Sequence, residues 1–376
     1  MTRATTRAVR AGLVSDRHHN AVVPPIHLSA NYAFPAFGQK GAYDYGRSGN
    51  PTRDLLAGAI AELEGGAGAV VTATGMAAVT LVLQLVHGGG RVVAPHDCYG
   101  GTHRILSAFA RRGLIDVAFV DQRDLTAVER ALAVPTRLLW IESPSNPLLR
   151  LTNIDAVARL GTAAGALVAA DNTFLSPALQ RPLELGADIV VHSTTKYLNG
   201  HSDVVGGAVV ARDTALHQEL TWWANCLGVS GAPFDSFLTL RGLRTLHVRI
   251  RQHVENAQTV AALLLDHPAV GQVHYPGIGA MVSFTLKRGA QAVPAFLSGL
   301  VHFTLAESLG GVESLVAHPA TMTHASMDAE ARARAGIGDD LLRLSVGIEA
   351  VEDLIADVRA ALDRTIPLRS RRVAAR

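Results

Sequence analysis

From about residue 50 to residue 210 the chain alternates short apolar runs with stretches of helical periodicity, a pattern few folds accommodate. Ala69–Thr72, Arg91–Pro95, Ile115–Asp121, Leu138–Glu142, Leu167–Asp171, Asp188–His192 and Val204–Ala211 read as strands, being short and mainly apolar. Between most of them apolar residues recur at i, i+3 and i+4, as in Leu125–Ala133 and Ile154–Ala164. Such alternation builds βαβ units, hence an α/β fold with a mostly parallel central sheet flanked by helices. Ligands bind such sheets beyond the C-terminal ends of the strands. Polar residues gather at those ends here: Glu142, Asp171, and Ser193 to Lys196.

The flanking regions read differently. Residues 1–46 have little periodicity but hold Pro24, Pro25 and Pro35 and the aromatics Tyr32, Phe34, Phe37, Tyr43 and Tyr45. This composition suggests an N-terminal arm lying on a neighbouring subunit. Arg3, Arg7 and Arg10 fit a short exposed helix within it. Asp235 to His267 reads as one long helix, kinked at Gly242 and stopped by Pro268. Beyond it, strands at 272–275, Met281–Leu286 and Leu341–Val346 and the helix Ala350–Leu362 suggest a smaller C-terminal α+β domain. The expected division is an arm (1–46), a central α/β domain (47–254) and a C-terminal domain (255–376). Arg369, Arg371, Arg372 and Arg376 are expected to fray into solvent.

Several classes of function are disfavoured. Lys and Arg number 34 against 32 Asp and Glu, and a net charge of +2 does not advertise nucleic acid or anionic lipid as a partner. Two cysteines cannot form a disulfide framework, so ordinary buried or half-buried thiols in a reducing, cytoplasmic compartment are expected. No signal peptide is evident. Gly65 to Gly90 is uncharged, yet Thr72, Thr74, Thr80 and Gln84 interrupt it, so a strand and a buried helix explain it better than a membrane span. Gly66-Ala67-Gly68 lacks the third glycine of a dinucleotide fingerprint, and Gly228-Val229-Ser230-Gly231 ends in Ala232 and misses the nucleophile elbow. No C-x-x-C or H-E-x-x-H spacing occurs, and no metal is expected.

One constellation remains. An apolar strand delivers Lys196 to the sheet edge, flanked by Ser193, Thr194 and Thr195. Asp171 ends another apolar run and needs a cationic partner or several donors. Thr74-Gly75-Met76 follows a strand and opens a helix, offering N–H groups to a phosphate. A lysine for an imine, an Asp for a ring nitrogen and a helix start for a phosphate match pyridoxal 5′-phosphate (PLP).

The blocks YDYGRSGNPTRD (43–54), PHDCYGG (95–101), ESPSNPLLR (142–150), DNTFLSPALQ (171–180), HSTTKYLNGHSDVV (192–205), FTLAESLGGVESL (303–315) and the run from Trp222 to Asn225 carry a resemblance. The chain resembles the Cys/Met-metabolism family of PLP-dependent enzymes from near its N-terminus to about residue 360. That resemblance implies a fold-type-I PLP-dependent transferase, aspartate aminotransferase-like. It implies a Schiff base and proton shuttle at Lys196, Asp171 at the pyridinium nitrogen and Tyr99 stacked on the ring. Gly75, Met76, Ser193 and Thr195 would surround the phosphate, with Tyr45 and Arg47 reaching the phosphate of a neighbouring subunit. Arg343 would grip the substrate α-carboxylate, with Asn146 and Ser308 nearby and Asp44, Arg104 and Glu307 also at the substrate.

The implied activity is γ-replacement, in which an O-acyl-L-homoserine, O-succinyl-L-homoserine above all, and L-cysteine give L-cystathionine for methionine biosynthesis. The alternatives are γ-elimination from cystathionine and sulfhydrylation of an O-acylhomoserine. A homotetramer, a dimer of active dimers, is implied as well. Two positions depart from the family pattern. Ser48 stands where some members carry a second arginine, leaving Arg104 as the candidate for a succinyl carboxylate. Relatives also have a loop and short helix where Tyr275-Pro276-Gly277 runs almost directly into Ile278-Gly279, and a disordered segment between Gly277 and Ile278 is expected rather than a deletion.

Overall fold

The computed structural model describes residues 2–325, 327 and 329–366. The tail arginines Arg369, Arg371, Arg372 and Arg376 lie outside them. The chain forms two compact units. One comprises Met1–Pro95, Ile105–Ser143 and Thr152–His247; the other comprises His96–Arg104, Pro144–Leu151 and Val248–Arg376.

The first unit is built on seven strands: β1 (Gly68–Thr72), β2 (Arg91–Pro95), β3 (Asp116–Val120), β4 (Leu138–Glu142), β5 (Leu167–Asp171), β6 (Ile189–His192) and β7 (Gly207–Ala211). Their order is β1-β7-β6-β5-β4-β2-β3. β3, β2, β4, β5 and β6 run parallel, while β7 is antiparallel to both β6 and β1. β4, β6 and β7 are buried at every position, which is why they read as unbroken apolar runs rather than as alternating ones. Successive residues feed two apolar layers, one around Val82, Val92 and Trp140, the other around Val93, Leu139 and Val168. The uncharged stretch from Gly65 becomes β1 and the helix Gly75–Leu83. Among the described residues no helix is long and apolar enough to cross a membrane.

The helix Pro51–Glu64 shows how local sequence fixes an element. Asn50 caps it by accepting from the N–H groups of Thr52 and Arg53, Pro51 occupies its first turn, and Gly65 closes it at φ 82°. A cap of this kind is worth about 1 kcal/mol. A short helix, Ala4–Arg10, matches the arginine spacing, and Arg7 Nη1 donates to the Glu62 carbonyl at 3.1 Å. From there to Asn50 the arm has only isolated bridges, Asn31 to Tyr45 and Ala36 to Gln39, and Val22, Leu28, Phe34 and Phe37 are exposed.

The expected single helix from Asp235 to His267 is two, Pro233–Leu243 and Leu246–Asp266. The chain breaks at Arg244-Thr245, where the N–H and hydroxyl of Thr245 both donate to the Gly242 carbonyl at 3.1 Å. Gly242 itself marks a close approach, since a Cβ there would lie 2.1 Å from the Asn199 carbonyl oxygen. Cys98 is buried as expected, but Cys226 is exposed rather than half-buried.

The second unit carries a five-stranded sheet of β8 (Val270–His274), β9 (Met281–Leu286), β10 (Thr304–Leu305), β11 (Leu315–Ala317) and β12 (Leu341–Ser345). The order is β10-β11-β12-β9-β8, antiparallel except for the β10–β11 pair. With the helix Val351–Arg364 it forms the expected α+β arrangement. No segment intervenes between Gly277 and Ile278, which are consecutive, so the expectation of disorder there is corrected. β8 and β9 close as a hairpin in which His274 pairs with Ser283, and Gly277 and Gly279 take φ 78° in its turn.

Candidate active site

In the first unit the ends of β5 and β6 and the start of the helix Gly75–Leu83 converge. Thr173 N–H donates to Asp171 Oδ1 at 3.0 Å, and Thr173 Oγ1 accepts from Ser193 N–H at 2.9 Å. Ser193 packs against Gly75 so closely that a Cβ on Gly75 would lie 2.8 Å from the Ser193 Cβ and 2.9 Å from its Oγ. Thr74 Oγ1 caps the helix by accepting from Ala77 N–H at 2.9 Å. The N–H groups of Gly75 and Met76, in the same first turn, have no acceptor within the helix. Lys196 follows within one turn, its N–H donating to the Ser193 carbonyl at 3.3 Å and its own carbonyl accepting from Gly200 N–H at 2.8 Å. Thr195 Oγ1 donates to the Gly206 carbonyl and accepts from Gly206 N–H, at 3.1 and 3.0 Å.

Burial pushes the Asp171 carboxyl above the usual carboxylate range, while the Thr173 hydrogen bonds and the nearby His192 pull it back. A carboxylate in that setting suits a cationic partner. Together with the Gly75 notch beside Ser193 and the open helix start, the residues present fit a phosphorylated pyridine carrying an aldehyde, which is what PLP is.

Tyr45 and Arg47 are not part of that cluster. Arg47 lies over the Tyr45 ring at 5.5 Å and its Nε donates to Asn225 Oδ1 at 2.8 Å. Asn225 belongs to the helix Thr214–Leu227, which carries the Trp222-Trp223-Ala224-Asn225 run. Asp44 ties the same turn of the arm. It pairs with Lys40 at 2.9 Å and accepts from the Ser48 hydroxyl and from Tyr45 N–H, both at 2.7 Å. The Lys40 and Ser48 hydrogen bonds hold its carboxyl down at about 2.

The second unit holds the other residues. Arg343, on β12 and 2% exposed, donates from Nη1 to Asn146 Oδ1 at 2.8 Å and from Nη2 to the Ser308 carbonyl at 2.9 Å. Ser308 takes φ 89°, a conformation that favours glycine. Tyr99 is 40% exposed, and Arg104 and Glu307 are exposed. The arrangement had a supporting residue that sequence reasoning passed over. His324 is fully buried and hydrogen-bonds through Nε2 to the Asn146 carbonyl at 2.9 Å and through Nδ1 to Thr323 Oγ1 at 2.8 Å. The pattern M-T-H offered no cue, because the contact spans 178 residues.

Burial, with the Arg343 charge adding to it, lowers His324 to about 4, and burial lowers His253 to about 4 as well. Both are therefore neutral in the folded chain near pH 6, where the unfolded chain has begun to protonate them. Stability from this source is complete above about pH 7 and is lost as pH falls from about 6.5 toward 4, by at most roughly 3 kcal/mol per histidine. A melting temperature that falls through that window is the expected result. A flat profile down to pH 4.5 would contradict the burial of these rings.

A family model described as Cys/Met metabolism PLP-dependent enzyme matches residues 5–363. The cystathionine gamma-synthase of Escherichia coli (strain K12) is 54% identical, with 95% of this chain and 97% of that protein aligned. A crystal structure of cystathionine gamma synthase from Xanthomonas oryzae pv. oryzae, in complex with aminoacrylate and cysteine, superposes with a TM-score of 0.96. It is 57% identical, over 97% of this chain and 99% of that one. The cystathionine gamma-lyase of Dictyostelium discoideum is 44% identical, with 96% of this chain and 97% of that protein covered.

Proposed function

The chain belongs to the Cys/Met metabolism PLP-dependent enzyme family, and from that premise we propose that it catalyses γ-replacement on an O-acyl-L-homoserine. L-Cysteine is the second substrate, and L-cystathionine and the free acid are the products. The Cγ–O bond to the acyl group breaks and a Cγ–S bond to cysteine forms. The observation that carries this reading is the identity of 54% and 57% to two γ-synthases, each over nearly the whole chain.

When bound, PLP supplies an electron sink for negative charge at the substrate Cα. Lys196 holds the cofactor covalently, takes the Cα proton and returns protons later in the cycle. Asp171 keeps the ring nitrogen protonated, and Tyr99 stacks on the ring. Gly75, Met76, Ser193 and Thr195 hold the phosphate, the first two through the N–H groups at the helix start. Arg343, held by Asn146 and the Ser308 carbonyl, receives the substrate α-carboxylate, and Glu307 lies at the substrate. Ser48 is committed to the Asp44 turn and carries no charge, so Arg104 is the cation offered to a succinyl carboxylate.

The enzyme works as a homotetramer, a dimer of active dimers, in the cytoplasm. Tyr45 and Arg47 complete a neighbour's phosphate site. Support for this comes from the exposed apolar residues of the arm and from an Arg47 whose partners lie away from the Asp171 cluster.

Product partition tests the reaction. With O-succinylhomoserine and saturating cysteine, cystathionine is the main product, and 2-oxobutyrate forms slowly when cysteine is withheld. O-acetylhomoserine in parallel reads the acyl preference. Cleavage of cystathionine faster than its synthesis, under matched conditions, would replace this reading with the lyase.

A further inference from the structure

Behind the Asp171 cluster lies a buried polar network that the reaction chemistry does not use. Residues along a strand alternate faces, so Asp171 and Ser193 project on one side of the sheet and Asn172 and His192 on the other. On the first side Thr173 links the two strand ends. On the second side the link is Glu64, the last residue of the helix Pro51–Glu64 and wholly buried. Glu64 Oε1 accepts from Asn172 Nδ2 at 2.8 Å and lies 2.7 Å from His192 Nε2.

The orientation of the Asn172 amide is fixed by its surroundings. Asn172 Oδ1 accepts from Gln180 Nε2 at 3.0 Å and Asn172 Nδ2 also donates to the Gln180 carbonyl at 2.8 Å, so the amide cannot flip without losing these bonds. Gln180 Nε2 in turn donates to the Ser143 carbonyl at 2.9 Å, just past β4. One carboxylate thus latches β5 and β6 directly and reaches β4 through Asn172 and Gln180. A buried carboxylate is costly unless it is well bonded, and here Glu64 Oε2 and His192 Nδ1 have no hydrogen-bond partner among the described residues. A site retaining that cost has a use for the latch.

We propose that Glu64 is a positioning residue which, through Asn172 and His192, holds the ends of β5 and β6 in the register that presents Asp171 and the Ser193–Lys196 turn to PLP. The proposal rests on the assignment of Asp171 and Lys196 to the cofactor. It acts from the far face of the sheet, so Glu64 touches neither cofactor nor substrate.

The test uses Glu64→Ala, Glu64→Gln and Asn172→Ala, with Asp171→Asn as a control. The readouts are the dissociation constant of PLP, the pH midpoint of the visible band of the bound cofactor, and the melting temperature. Glu64→Ala and Asn172→Ala are expected to weaken PLP binding about tenfold or more and to move the band's pH midpoint by about half a unit or more. Glu64→Gln keeps an oxygen for both donors and is expected to stay within about threefold of the parent. A merely structural role would lower the melting temperature and leave the dissociation constant and band in place, which would overturn the proposal. Should Glu64→Ala fail to fold, Asn172→Ala, which removes one arm of the latch, decides by the same readouts. If Asp171→Asn changes neither binding nor band, the assignment of Asp171 falls and the proposal with it. If Asp171→Asn changes them and Asn172→Ala does not, the proposal alone falls.

Discussion

A Lys196→Ala chain should fold, bind PLP without a covalent link, and turn over at least about a thousandfold more slowly than the parent. The fold should survive because the Lys196 backbone, which alanine retains, hydrogen-bonds to Ser193 and Gly200. Tyr197 and Leu198, buried beside it, carry the packing of this turn. Non-covalent binding should persist because the helix start at Gly75, the Ser193 hydroxyl and Asp171 are untouched. Turnover should collapse because the proton at the substrate Cα loses its base. Borohydride treatment followed by peptide mapping checks the point. The parent should carry reduced cofactor on Lys196, and the variant should carry none. A variant that retained borohydride-trapped cofactor and the visible band would show that another lysine does this work.

That Lys196 stands out as a candidate follows from the physics of parallel sheets. Strands buried on both faces must be apolar throughout, so β4, β5 and β6 stand out as unbroken runs. The polar residues that end them, Glu142, Asp171 and Ser193, then mark the edge where ligands bind. The helix start at Thr74-Gly75 was legible for a similar reason, since a capping threonine and a glycine follow an apolar strand. What could not be read was set by contacts between distant residues. Glu64 meets Asn172 and His192 across 108 and 128 positions, and nothing about Glu64 at the end of an amphipathic helix distinguishes it from a solvated glutamate. His324 is a similar case. The helix break at Arg244-Thr245 leaves no mark in the sequence, because apolar periodicity continues across it and Gly242 is the residue that favours a kink. The second unit's recruitment of 96–104 and 144–151 is likewise invisible to periodicity, since in sequence both stretches are flanked by residues of the first unit. Residue roles at the substrate came from the family resemblance. The structure adds the Arg343–Asn146 contact and the Ser308 carbonyl that orient the guanidinium.

Arg343→Ala should raise KM for the amino-acid substrate by about ten- to a hundredfold or somewhat more while leaving PLP occupancy near that of the parent. A hydrogen bond to a charged group is worth about 1.5–3 kcal/mol, which converts to that range. Arg343 is 2% exposed, and Asn146 Oδ1 and the Ser308 carbonyl each accept from one of its terminal nitrogens. These bonds fix the plane of the fork before substrate arrives, so little conformational freedom is lost when a carboxylate binds. Arg343→Lys tests that point. It keeps the charge, but an ammonium cannot satisfy Asn146, Ser308 and a bidentate carboxylate in one geometry, so recovery should be small. Truncation to Ala also strips Asn146 and Ser308 of a donor inside a buried setting, so some loss of melting temperature accompanies the rise in KM. The two effects separate cleanly by comparison with the lysine variant, which retains more of the packing volume. Were Arg343→Ala to lose cofactor while keeping its KM, the arginine would belong to the phosphate rather than to the substrate, and the carboxylate would need another cation.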